Sequence, residues 1–209
     1  MNRLNNTIKE LKIVPVIKLN KAEDAVPLVQ ALIQGGLPVA EITFRTDAAE
    51  QSIANVAKAC PEVLLGAGTV TSVEQAKRAQ AAGASFIVTA GFSRAVTDFC
   101  VDQKLPIFPG VCTPSELMWL IEYGLGVAKF FPAEQYGGLN TIKALSAPFP
   151  NMKFMPTGGI SATNILDYLA FPQIIACGGS WMVKEDLIAS KQFDTIAKLV
   201  SEAVSLVRG

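Results

Sequence analysis

Short apolar or β-branched runs alternate with longer helical patterns along almost the whole chain, and this alternation most narrows what the chain can fold into. Strand-like runs fall at 13–17, 39–43, 63–67, 86–89, 107–109, 127–131, 153–156 and 174–177. Helix-like stretches lie between them near 22–34, 48–59, 72–82, 94–103, 114–123, 139–146 and 163–169, and a last one near 194–207 closes the chain. Ser72 ahead of Glu74-Gln75, and Thr113-Pro114 ahead of Glu116, have the chemistry of helix starts. Gly35-Gly36, Gly83 and Gly124 stand where helices should stop. Strand–helix units repeated without reversal specify parallel crossovers. They predict an α/β protein: a single (β/α)8 TIM barrel with an extra N-terminal helix, one domain over residues 1–209. A doubly wound open sheet is the competing architecture, but no GxGxxG follows an early strand. Polar residues also close many different strands, which suits a barrel.

Composition removes several function classes. Half of the 209 residues are hydrophobic and 17% are charged, below the usual share of about 25%, so either the core is large or surface is buried between subunits. Lys plus Arg equals Asp plus Glu at 18 each, which leaves no net field to favour nucleic acid or an anionic membrane. There is no histidine, so histidine metal sites, Ser-His-Asp triads and histidine bases are all excluded. Cys60, Cys100, Cys112 and Cys177 are scattered, with no zinc spacing. No metal and no cofactor is therefore expected. No apolar stretch approaches the roughly 20 residues of a membrane span, and residues 1–11 do not resemble a signal peptide. The expectation is a cytoplasmic enzyme with reduced thiols and a small-molecule substrate.

Lys129 is the strongest candidate for chemistry. It interrupts Val127-Ala128-Lys129-Phe130-Phe131-Pro132, an apolar run that otherwise reads as a buried strand. Lysine is almost never buried unless paired or chemically employed. Low dielectric disfavours an ammonium, and a neutral amine is what a carbonyl substrate needs to form a Schiff base. The alternative is a lysine at a strand end whose stem reaches back to water.

In the second strand, alternation puts Val39, Glu41, Thr43 and Arg45 on one face and Ala40, Ile42 and Phe44 on the other. With the polar set inward, Glu41 is a carboxylate inside the barrel that needs a partner or a job. An internal salt bridge to Lys129 or Lys18 would be such a partner. Extended geometry separates the Glu41 and Arg45 α-carbons by about 13 Å, so Arg45 is expected to lean over the mouth. Thr69, after Gly66-Ala67-Gly68, offers a hydroxyl there. Thr157-Gly158-Gly159 follows the seventh strand and Gly178-Gly179-Ser180 the eighth. Barrels of this kind hold phosphate at these two loops, although a glycine pair alone also makes a plain turn. Phe131 shares the inward parity of Lys129 but reads as packing, and Cys112 and Cys177 read as inert.

Together these stretches resemble the 2-keto-3-deoxy-6-phosphogluconate (KDPG) / 4-hydroxy-2-oxoglutarate (KHG) aldolase family, class I aldolases on a (β/α)8 barrel. The resemblance rests on Glu41-Ile42-Thr43-Phe44-Arg45-Thr46, Gly66-Ala67-Gly68-Thr69-Val70, Lys129-Phe130-Phe131-Pro132-Ala133-Glu134, Pro156-Thr157-Gly158-Gly159-Ile160 and Gly178-Gly179-Ser180-Trp181. It implies that Lys129 is the Schiff-base lysine and Glu41 the general acid/base. Arg45 and Thr69 would hold the pyruvyl carboxylate, and Thr157, Gly158, Gly159, Gly178, Gly179 and Ser180 the distal phosphate. It further implies a homotrimer and a lyase of the Entner–Doudoroff pathway, cleaving KDPG to pyruvate and glyceraldehyde 3-phosphate and KHG to pyruvate and glyoxylate.

One departure stands out: Thr89-Ala90-Gly91 replaces the family's usual Pro-Gly after the fourth strand. Ala90 frees a torsion that proline fixes. Three alternatives stay open on sequence alone: an aldolase for the galactonate epimer, a phosphosugar isomerase or decarboxylase in which Lys129 only orients substrate, and a non-catalytic phosphometabolite-binding barrel.

Overall fold

A computed structural model describes residues 3–209. Its strands are β1 (Ile13–Ile17), β2 (Val39–Thr43), β3 (Leu64–Gly68), β4 (Phe86–Val88), β5 (Ile107–Phe108), β6 (Gly110–Val111), β7 (Val127–Phe130), β8 (Lys153–Pro156) and β9 (Cys177–Gly179). The helices are α1 (Arg3–Leu11), α2 (Ala25–Gln34), α3 (Ala49–Ala59), α4 (Val73–Ala81), α5 (Arg94–Asp102), α6 (Pro114–Glu122), α7 (Gly138–Ser146), α8 (Ile165–Leu169), α9 (Glu185–Ala189) and α10 (Phe193–Arg208). Every strand pair is parallel, in an α/β fold with a six-stranded sheet, β5-β4-β3-β2-β1-β9, and a three-stranded sheet, β6-β7-β8.

The run expected at 107–109 is two strands because Pro109, which has no N–H to donate, interrupts the ladder. β5 pairs with β4 on one side of the break and β6 with β7 on the other. The Pro109 carbonyl still accepts the Lys129 N–H at 2.9 Å. At the other edge, an isolated parallel bridge joins Thr157, just beyond β8, to Gly178 in β9.

The helices start and stop where local chemistry directs. The Ser72 side chain accepts from Gln75 N–H to open α4, and Thr113 and Glu116 form a reciprocal capping box with Pro114 in the first turn of α6. Gly36, Gly83 and Gly124 follow their helices with positive φ. α10 turns Ile196, Val200, Ala203, Val204 and Val207 inward, a 3–4-residue spacing that buries one stripe. All five residues of β2 and all four of β7 are buried, Glu41 and Lys129 included.

Three expectations need correction. The last strand is Cys177–Gly179, not 174–177: Ile174 makes only an isolated bridge, and Val14 and Pro15 of β1 pair with Gly178 and Gly179. The two glycines therefore lie within a strand, not in a loop after it. The third strand sits one residue later than expected, and the stretch at 22–34 opens with a 3-10 turn over Ala22–Asp24. Helix α9 and a 3-10 turn at Glu134–Tyr136 had no periodic signature.

Candidate active site

β7 delivers Lys129 and β2 delivers Glu41, 88 residues apart in sequence. Lys129 Nζ lies 3.2 Å from Glu41 Oε1, with side-chain exposures of 4% and 0%. The parity reading of β2 is thus met, and the partner weighed for Glu41 is Lys129; Lys18 instead pairs with Glu185 at 2.8 Å. The Glu41 carboxylate fits only because position 68 is glycine: a Cβ there would fall 2.2 Å from Oε1. The other oxygen, Oε2, is buried without a hydrogen-bond partner in the protein. A buried oxygen left this way costs about 1–3 kcal/mol unless something else satisfies it.

Above the pair opens a cavity of about 380 Å³, bounded in part by Arg45, Thr69, Lys129, Thr157, Gly158, Gly159, Gly178, Gly179 and Ser180. Every candidate residue except Glu41 lines it, and Glu41 is reached through Lys129. A larger cavity, about 470 Å³, is lined by Asn5, Pro106, Gly124, Asn151 and Lys153 among others and shares no residue with it. The smaller one is the candidate site, because Lys129 and the other candidate residues line it.

Arg45 is tethered. Thr43, fully buried, donates to the Ile17 carbonyl at 2.7 Å and accepts Arg45 Nε–H at 3.0 Å. With Nε occupied, the two terminal nitrogens of the guanidinium are left for a ligand, a fork suited to a carboxylate. Thr69 has a φ of 55°, a left-handed conformation that a β-branched residue rarely adopts and that costs on the order of 1–3 kcal/mol. Such strain persists where surrounding structure enforces it, and here it is at the cavity wall.

At the other end, the Thr157 hydroxyl is buried without a partner. Gly178 faces it so closely that a Cβ would come within 2.2 Å of the hydroxyl oxygen. The sequence reading did not assign Val16, Phe131 or Ile160 to the site, yet all three line the cavity. The Phe131 ring centroid is 5.3 Å from Lys129 Nζ, so its inward parity was the available signal. Ala90 also lines the cavity, at the departure noted in the sequence. Burial pushes the Cys177 thiol above its ordinary range, and burial followed by Glu116 does the same to Cys112, so neither is a ready thiolate nucleophile. Among the described residues, no group of Asp, Glu or Cys side chains is arranged to hold a metal ion. Nor is any of their helices long and apolar enough to cross a membrane.

A lysine held out of bulk water beside a carboxylate, at the carboxyl ends of parallel strands, is the arrangement of lysine-dependent carbonyl enzymes. The chain belongs to the KDPG and KHG aldolase family, whose model matches residues 4–199. It is 46% identical to the 2-dehydro-3-deoxy-phosphogluconate aldolase of Haemophilus influenzae, over 96% of this chain and 95% of the relative. It is 43% identical to the KHG/KDPG aldolase of Escherichia coli, over 92% and 90% respectively. The structure of KDPG aldolase from Legionella pneumophila, with pyruvate captured at low pH as a covalent carbinolamine intermediate, matches with a TM-score of 0.93 at 37% identity, covering 96% of this chain and 98% of that one.

Proposed function

We propose that this protein is a class I aldolase, a lyase that cleaves KDPG to pyruvate and glyceraldehyde 3-phosphate, and also KHG to pyruvate and glyoxylate. The observation that carries the reading is the Lys129–Glu41 pair at 3.2 Å beneath the cavity. In the reaction, the free amine of Lys129 attacks the keto carbon C2, and loss of water gives an iminium. The iminium accepts the electron pair of the C3–C4 bond as it breaks, which yields an enamine and an aldehyde. The C4 hydroxyl proton passes to Glu41 through a water, and Glu41 returns a proton to C3. Water then hydrolyses the iminium, releasing pyruvate and the amine. Before attack, the ammonium must lose its proton, and Glu41 Oε1 is the acceptor within reach.

Arg45 and Thr69 hold the carboxylate of the pyruvyl half. Thr157, Gly158, Gly159, Gly178, Gly179 and Ser180 receive the phosphate, a reading supported by the unpartnered Thr157 hydroxyl. A binding protein for the same anion would need neither a buried amine nor a buried carboxylate, each costly to desolvate. The galactonate epimer is disfavoured because the relatives cited above are named for KDPG and KHG.

The same reading covers the whole chain as one domain and closes the two sheets into a single eight-membered (β/α)8 barrel. The Pro109 carbonyl, which accepts the Lys129 N–H across one break, and the Thr157–Gly178 bridge across the other support that closure. A homotrimer in the cytoplasm, serving the Entner–Doudoroff pathway, completes the proposal. Exposed Met118, Trp119 and Ile121 on α6 support burial of that face between subunits.

Incubating the purified protein with KDPG and with KHG, and following pyruvate release, tests the activity. Cleavage of both is expected, with none in Lys129→Ala. Absence of cleavage of either compound by the wild-type protein contradicts the proposal.

A further inference from the structure

Behind the Thr157–Gly159 segment lies a set of contacts to which the reaction assigns no role. The backbone N–H of Ala133 donates to the Thr157 carbonyl at 2.8 Å, and that of Glu134 donates to the Gly158 carbonyl at 3.1 Å. In a trans peptide the C=O and N–H point in opposite directions. Drawing these two carbonyls toward residues 133–134 therefore turns the N–H groups of Gly158 and Gly159 the other way. Glu134 also supports the segment through its side chain: a Cβ on Gly159, which has a φ of +80°, would fall 2.4 Å from Glu134 Cγ. The carboxylate of Glu134 in turn accepts a hydrogen bond from the Tyr168 hydroxyl. Tyr168 comes from α8 and is 2% exposed. Gly138 gives this cluster its room, since a Cβ there would lie 2.7 Å from the phenol oxygen and 3.0 Å from Glu134 Oε1. Burial, and then the bond to Glu134, pushes the Tyr168 hydroxyl above its ordinary range, so it stays a donor through neutral and mildly alkaline pH.

We propose that Tyr168 and Glu134 are positioning residues that set selectivity for a phosphorylated substrate, by holding the Gly158 and Gly159 N–H groups aimed at the anion. The inference rests on the reading of this segment as the phosphate-binding end of the aldolase site. The pair touches no reacting atom, so its loss should weaken anion binding and spare the chemistry at Lys129.

Tyr168→Phe is expected to raise KM for KDPG about fivefold, the scale of one lost hydrogen bond, with kcat and the parameters for unphosphorylated KHG changed less than about twofold. Glu134→Ala should reproduce that split. Glu134→Gln, which keeps an acceptor for the tyrosine, should restore values near the wild type. The Kd for inorganic phosphate, titrated through the amide signals of Gly158 and Gly159, should rise by the same factor in Tyr168→Phe. An unchanged KM for KDPG, or equal losses on both substrates, overturns the proposal. Failure of both Tyr168→Phe and Glu134→Ala to fold also overturns it, by making the pair structural. Should the wild type not cleave KDPG at all, the aldolase reading fails, while the phosphate titration still reads the positioning role separately.

Discussion

The Glu41 carboxylate lies between Lys129 Nζ, 3.2 Å from its Oε1, and the bare α-carbon of Gly68, where a side chain would come within 2.2 Å of the same oxygen. Three strands, β2, β3 and β7, thus supply the acid, the space for it and the amine. An ion pair this deeply buried contributes little net stability, because desolvating both ions offsets most of their attraction. Under the proposed function, the pair is there because an amine beside a proton acceptor can attack a ketone.

Gly68→Ala should act on chemistry through this contact. The added methyl pushes the carboxylate off Lys129, so kcat for cleavage falls by about 10²-fold or more, within the range ascribed to a positioned acid–base group. Overpacking costs a further 1–3 kcal/mol or so of stability. Steady-state kinetics together with a denaturation curve separates the two effects.

Breaking the pair should be costlier than removing it. Lys129→Met leaves Glu41 buried and unpaired, for a loss of roughly 3–5 kcal/mol in unfolding free energy. Adding Glu41→Gln should recover much of that loss, as read by urea midpoints, while both variants stay inactive.

Thr43→Val should act through Arg45. The substitution keeps the shape but removes the hydroxyl that accepts Arg45 Nε–H and donates to the Ile17 carbonyl. KM for cleavage substrates is expected to rise several-fold, about one hydrogen bond's worth, for KDPG and KHG alike because both carry the pyruvyl carboxylate. A change confined to the phosphorylated substrate would contradict this assignment.

Alkaline pH should destabilise the protein through its buried thiols. Burial pushes Cys100 up to about 12. In the unfolded chain it ionises near its ordinary value of about 8.5, so above that pH the unfolded state binds fewer protons and stability falls as pH rises. That part of the stability is complete below the unfolded value and is lost progressively as pH climbs toward 12. Urea midpoints should drop between pH 8 and 11, and Cys100→Ala should show a shallower drop.

Much of this was legible in the sequence because it depends on local pattern. Alternating strands and helices, the parity of β2, a lysine within an apolar run and the Ser72 and Thr113 caps all carry signals within a few residues. The misread strand β9 is instructive. Glycine is poor in strands by side-chain packing, so Gly178 and Gly179 read as a loop. Backbone pairing to β1 nevertheless holds them, and their missing side chains admit the Thr157 hydroxyl and the Trp181 ring. The left-handed Thr69 and the Tyr168–Glu134 bond leave no local trace, since one is enforced by surroundings and the other spans 34 residues. Phe131 is visible by parity but reads as packing, because an aromatic in an apolar run is usually that.

The central claim is that the amine of Lys129 bonds to the substrate ketone. Incubation with pyruvate and sodium borohydride, followed by peptide mapping by mass spectrometry, tests it most directly. The account predicts one reduced pyruvyl adduct per chain, on Lys129, and none in Lys129→Ala. Full cleavage activity with no trapped adduct, or an adduct on another lysine, would contradict it.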